Sequence, residues 1–182
     1  LASTLKRETI QIQERFFFLN LSMGVSAQAM LETKRKAKRR VGRLAYVWSG
    51  IKKLVGFQPH QFTLQVDGLT HHFHASEVVI ANSAIIGLSS LRIAPDVRFD
   101  DSRFNVCVVR ARTAWDYVKI AWDMLLGRQK RNPHLHFLEA EERVHIAANH
   151  AAPIQADGEF IGRESVSVSF VPQAVQIIAP PD

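Results

Sequence analysis

Residues 60–82 read HQFTLQVDGLTHHFHASEVVIAN, and the period of this stretch decides the fold class. Phe62, Leu64 and Val66 alternate with Thr63 and Gln65. That is the two-residue period of a strand with one buried face. Asp67-Gly68 follows, a pair that tolerates the positive φ angles of a two-residue type I′ turn. The chain beyond it is strand-like again as far as Asn82. The stretch is a hairpin with a third strand after it.

The same punctuation extends outward in both directions. ETIQIQ (8–13), RFFFLNLSMG (15–24), RFNVCVVRA (103–111), HLHFLEA (134–140) and ERVHIAA (142–148) read as further strands. So do PIQADGEFIG (153–162), SVSVSFV (165–171) and AVQIIA (174–179). In residues 165–170 the alternation is strict, with Val166, Val168 and Phe170 on one face and serines on the other. Two stretches have helical spacing instead. In residues 41–57, Val41, Leu44, Trp48, Ile51 and Val55 recur on one face, and Gly56 is a stop. In residues 113–127, Thr113 and Asp116 have the spacing of a capping box, and Gly127 suits the position after a helix end. Trp115, Val118, Trp122 and Leu125 line one face of this second helix, and a tryptophan stripe of this kind is ordinarily core. Many short strands and few helices, without regular alternation, predict a mainly β protein. The expected architecture is a β-sandwich with about two flanking helices, as a single domain over residues 1–182.

Composition is compatible with this. The chain has 182 residues, 47% of them hydrophobic and 22% charged, enough for one core. No apolar run has the length of a membrane span. Cys107 is the single cysteine, so no disulfide forms within the chain. Its apolar surroundings read as those of a buried structural thiol, and a reducing cytoplasm is the expected setting. The formal net charge of +6 favours anionic partners. Much of the excess is local, in Lys34, Arg35, Lys36, Lys38, Arg39, Arg40 and Arg43. This run lacks interleaved aromatics, so nucleic acid is not expected. A solvated helix end or loop accounts for it, and an anionic membrane surface is the partner such a run would attract.

Three groups of residues have the chemistry of a site. His71, His72 and His74 cluster in one strand, where His72 and His74 share a face, as His134 and His136 do elsewhere, but no further ligand completes a site and they read as surface strand. Asp96, Asp100 and Asp101 form an oxygen-rich turn before a strand, which is either a polar turn or a place for Mg²⁺. Asp157-Gly158-Glu159 is a second hairpin turn that carries a carboxylate immediately after it.

Several blocks occur together in an order that resembles the C-terminal domain of the diacylglycerol kinase and sphingosine kinase superfamily, in its bacterial lipid kinase branch. They are RFFFLNLSMGVSAQAM (15–30), LAYVWSGIKKL (44–54), FTLQVDG (62–68) and VVIANSAIIG (78–87). LRIAPDVRFDDSRFNVCVV (91–109), PIQADGEFIG (153–162) and VSVSFVPQAVQIIAP (166–180) follow. The resemblance implies a lipid-holding β-sandwich that closes one side of a kinase cleft. ATP would be held by an N-terminal domain through a Gly-Gly-Asp-Gly loop. This sequence has no such loop, so the ATP-binding half is expected to be missing and the fragment inactive alone. The resemblance further implies that Glu159 is the proton acceptor for a lipid hydroxyl and that Asp157 helps orient metal or nucleotide. It implies Mg²⁺ held by the Asp101 carboxylate and the carbonyls of Arg98 and Arg103. At that turn the family's Gly-Leu is replaced by Ser102-Arg103. Diacylglycerol or a sphingoid base is the implied substrate, at a membrane surface. The alternative reading is a non-catalytic β-sandwich module that binds lipid or membrane.

Overall fold

The structure, a computed structural model, describes residues 3–36, 59–82 and 103–179. Twelve strands lie in these segments. β1 (Ser3–Ile12), β2 (Arg15–Phe17) and β3 (Asn20–Gly24) lead into helix α1 (Val25–Lys36). β4 (His60–Val66), β5 (Leu69–Ala75) and β6 (Glu77–Ala81) come next. β7 (Phe104–Val109) precedes helix α2 (Ala114–Leu125). β8 (Leu135–Ala140), β9 (Arg143–Ala148), β10 (Ile154–Ala156), β11 (Glu159–Gly162) and β12 (Val166–Ala179) complete the order. The expected helix at 41–57 lies outside the described residues, as does most of the basic run. Lys34, Arg35 and Lys36 fall in the last turn of α1.

The strands form two six-stranded antiparallel sheets. The first has the order β2-β1-β12-β9-β4-β5 and the second β11-β10-β3-β6-β7-β8. The hairpin that decided the fold class forms as read. Phe62 is opposite Phe73 and Val66 opposite Leu69, across Asp67-Gly68, whose φ angles are 47° and 87°. The two sheets pack face to face, as the alternating pattern requires. Ile10, Phe62, Leu64, Ile146 and Val168 come from the first sheet, and Leu21, Met23, Ile80, Val108 and Ile154 from the second. The architecture is a β-sandwich with flanking helices.

Residues 165–171 and 174–179, read separately, belong to one strand. β12 runs through Pro172, which has no N–H to give to a ladder. The pairing with β1 breaks there: Thr9 is opposite Val171, and the next pair is Arg7 with Val175.

Both helices cover the outer face of the second sheet. α1 packs on β3 and β10. α2 sets Tyr117, Ile120 and Met124 against Val79, Cys107 and Val109. The expectation for α2 therefore needs correction. Its tryptophan stripe is not core: Trp115 is 67% exposed and Trp122 63%. The helix has two apolar faces, and the stripe at Tyr117, Ile120 and Met124 makes the contact. Its capping box forms as read, with the Asp116 N–H donating to the Thr113 hydroxyl and the Asp116 carboxylate accepting from the Thr113 N–H.

Candidate functional site

Asp157-Gly158-Glu159 joins β10 to β11, with Ala156 opposite Glu159. Asp157 and Gly158 take φ of 48° and 81°, the type I′ geometry that an L side chain other than Asn or Asp resists. Among the described residues other than its chain neighbours, no atom lies within 4 Å of a Cβ placed on Gly158. The glycine thus serves the turn's dihedrals, not a close approach by neighbouring backbone of the chain.

The Asp157 carboxylate accepts three backbone hydrogen bonds. Phe18 N–H donates at 2.6 Å, Leu19 N–H at 2.9 Å and Asn20 N–H at 3.0 Å. The Asp157 N–H returns one to the Asn20 carbonyl at 3.0 Å. The turn is thereby fastened to the connection between β2 and β3. Asn82, buried at the end of β6, holds the same connection from the other side. Its Nδ2 donates to the Phe18 carbonyl at 3.1 Å, and its N–H to that of Leu19 at 3.0 Å.

Glu159 is held outward by this arrangement. Its Oε2 accepts from Arg15 Nη2 at 2.5 Å, with both side chains more than half exposed. The Arg15 guanidinium also lies 5.1 Å from the centre of the Phe17 ring. Phe16, Phe18, Leu19 and Phe160 are exposed large apolar side chains on these same segments. Arg15 lines a cleft of about 850 Å³ between the edges of the two sheets, where Phe17, Ile154, Ile161 and Val166 are mixed with Arg143, Arg163, Glu164 and several glutamines and serines. Glu159 stands beside that cleft through Arg15 and is not part of its lining.

A polar chain runs inward from the turn across the outer face of the second sheet. Gly158 N–H donates to Gln155 Oε1 at 2.8 Å. Gln155 Nε2 donates to Asn20 Oδ1 at 3.1 Å and to Ser22 Oγ at 2.8 Å. The Ser22 and Ser26 hydroxyls are 2.7 Å apart, and Ser26 Oγ donates to Glu77. Glu77 is buried, and burial pushes its carboxyl up to about 7, against the opposing effect of the bonds from Ser26 and Ser22. Burial also pushes the Cys107 thiol up to about 12, with the charge of Glu77 adding to the effect. Cys107 is the buried, unreactive thiol its sequence context predicts.

Of the metal-ligand set, Arg98 and Asp101 lie outside the described residues. The Arg103 guanidinium meets Glu139 of β8 at 2.9 Å and Glu141, in the turn between β8 and β9, at 3.1 Å. Its charge is thus matched by two carboxylates. Among the described residues no three His, Cys, Asp or Glu side chains converge. The histidines have local partners. His72 is 3.2 Å from the Thr63 hydroxyl, and His71 stacks on Phe73. His134 lies 3.6 Å from Asp116, and the His136 ring packs at 5.0 Å from Phe73.

Sequence reasoning missed Arg15, Asn20, Ser22, Ser26, Glu77, Asn82 and Gln155. The available signal was a polar residue at every second position of strands whose other face is apolar, as in Asn20-Leu21-Ser22-Met23. A solvated face gives the same pattern, and only the covering of that face by α1 distinguishes the two.

Residues 20–179 match the family model described as the YegS C-terminal NAD kinase beta sandwich-like domain. The chain is 23% identical over 171 residues to the Shewanella frigidimarina protein named "Probable lipid kinase YegS-like", covering 91% of this chain and 53% of that protein. It is 21% identical over 147 residues to the diacylglycerol kinase of Bacillus subtilis, covering 80% and 48%. Among solved structures, a diacylglycerol kinase from Bacillus anthracis superposes with a TM-score of 0.71 at 18% identity, over 98% of this chain and 57% of that one. The chain spans about half the length of these relatives.

Proposed function

The chain belongs to the family of YegS C-terminal NAD kinase beta sandwich-like domains, and on that premise we propose that it is the lipid-holding, base-supplying half of an ATP-dependent lipid kinase. The observation that carries this reading is the fastening of the Asp157-Gly158 turn, which holds the Glu159 carboxylate outward beside a cleft lined by both apolar and polar side chains, three arginines among them. A lipid hydroxyl is a weak nucleophile, and a carboxylate within hydrogen-bond reach raises its reactivity by taking its proton. As the hydroxyl oxygen bonds to the γ-phosphorus, the proton passes to a Glu159 oxygen. The bond between that phosphorus and the bridging oxygen breaks, and ADP leaves with the electron pair. Arg15 orients the carboxylate before the substrate arrives. Asp157 serves by fixing the turn: its carboxylate is engaged with backbone N–H groups, which argues for anchoring over contact with nucleotide.

The nucleotide would be held by an N-terminal half, consistent with the chain's spanning about half of its relatives. Mg²⁺ would be held by the Asp101 carboxylate with the carbonyls of Arg98 and Arg103. Diacylglycerol is the proposed substrate, from the name of the Bacillus subtilis relative, with a sphingoid base next. The alternative, a non-catalytic lipid-binding module, is favoured by the closed Arg15–Glu159 pair, which an ordinary surface would also show. Incubating the full natural protein with ATP and each lipid separates the two. The kinase reading expects phosphate transfer to diacylglycerol, and no transfer to either lipid would leave the module reading.

A further inference from the structure

The outward face of α2 is apolar throughout its length. Trp115, Val118, Trp122 and Leu125 share it, and Leu126 extends it by one residue past the helix end, all of them exposed. The face toward the sheet is a different one, satisfied by Tyr117, Ile120 and Met124. The exposed stripe therefore contributes nothing to the sandwich core. Two largely exposed tryptophans on one helix face form a contiguous patch, and such patches mark interaction sites.

The charges around the stripe indicate the kind of partner. Residues 110–131 contain six basic and two acidic side chains, a net of +4. Both acidic groups are turned to local partners. Asp116 accepts from the N–H groups of Arg112 and Thr113. Asp123 accepts from Asn132 Nδ2 at 2.7 Å. Arg112, Lys119, Arg128, Lys130 and Arg131 are exposed. A helix with an apolar face, tryptophans and a basic border has the composition of a segment lying in a bilayer interface. Indole rings favour the headgroup level, and lysine and arginine are drawn to anionic headgroups. A second copy of the chain is a poorer fit, because a two-fold contact on this face would set the two basic borders against each other.

We propose that the outer face of α2 is a docking surface for an anionic lipid bilayer, seated through Trp115 and Trp122 and bordered by Lys119, Arg128 and Arg131. The inference rests on the lipid-kinase reading only for why the protein would meet a bilayer. The test is co-sedimentation of the full natural protein with vesicles made of phosphatidylcholine alone or of equal parts phosphatidylcholine and phosphatidylglycerol, without ATP or kinase substrate. Wild type should partition at least about tenfold more strongly onto the anionic vesicles than onto the zwitterionic ones. The double variant W115S/W122S should lose about tenfold or more of that partition. Its melting temperature should be unchanged, because neither side chain contributes to the core. Equal partition of wild type and double variant, or no sedimentation of wild type with either vesicle, would overturn the proposal. So would a dimer that the two substitutions convert to monomer, which would assign the face to a second copy. Lipid phosphorylation is measured separately, on a water-soluble short-chain diacylglycerol. Vesicle binding without phosphorylation would count against the kinase reading and leave the docking surface standing.

Discussion

Asp67 and Asp157 occupy the same place in two type I′ hairpins, and each accepts three backbone N–H groups from a neighbouring turn. Asp67 takes those of Glu141, Glu142 and Arg143, and Asp157 those of Phe18, Leu19 and Asn20. The turn chemistry is therefore structural in both. What differs is the residue after the glycine, Leu69 in one and Glu159 in the other. Asp157→Ala should lower stability by about 1–2 kcal/mol in denaturant unfolding, since three donors lose their acceptor at a largely solvated turn. Arg15→Ala should cost less than about 1 kcal/mol, because the ion pair it removes is exposed. A loss of turnover in that variant would therefore report on the site and not on folding. Glu77 gives a pH prediction. Its folded-state carboxyl ionises near 7, against an ordinary value of 4.5. Between those values the unfolded chain gives up a proton that the folded one keeps, so this group makes stability fall as pH rises from about 4.5 to 7 and level off above. Glu77→Gln should remove that decline, on the order of 3 kcal/mol, when unfolding is followed across this range. An unchanged pH dependence in the variant would show that Glu77 ionises normally.

At the level of elements, period and punctuation were legible where one face meets the core and the other meets water. β4 and β5 formed as read, because the Phe62, Leu64 and Val66 pattern and the Asp67-Gly68 turn agree. The α2 cap was legible for the same reason, and Thr113→Ala should cost about 1 kcal/mol. Helix facing was not legible. α2 has apolar residues on two sides, and periodicity reports a stripe without saying which stripe is covered. The polar chain on β3 and β10 was hidden in the converse way, since Asn20, Ser22 and Gln155 look like a solvated face until α1 is placed over them. The β3–α1 junction explains the small residue there. Gly24 has φ of 131°, and a Cβ on it would lie 2.4 Å from the Ser76 carbonyl oxygen. Gly24→Ala should destabilise by at least about 2 kcal/mol, from backbone strain together with that clash. A neutral result in thermal unfolding would contradict the junction geometry.

At the level of the whole molecule, the strand-rich character followed from the sequence, but the exact division into strands did not: residues 15–24 split into β2 and β3, and 165–179 merged into β12. Nor did their order in the sheets. β3 pairs with β10 and β1 with β12, contacts between opposite ends of the chain that no local pattern encodes. The candidate site is assembled from those long-range pairings: Arg15 and Phe18–Asn20 come from one end and Asp157–Glu159 from the other. The order of family-like blocks indicated Glu159 before any geometry did, while its anchors at Arg15 and Asn82 required the fold. The most direct test of the central claim is phosphate transfer from ATP to diacylglycerol by the full natural protein and its Glu159→Gln variant, compared at equal concentration. The account predicts a fall in turnover of about 100-fold or more, with unfolding curves that coincide because the side chain is exposed. Turnover within about threefold of wild type, below what loss of a general base produces, would remove Glu159 from the chemistry and leave its hairpin a purely structural turn.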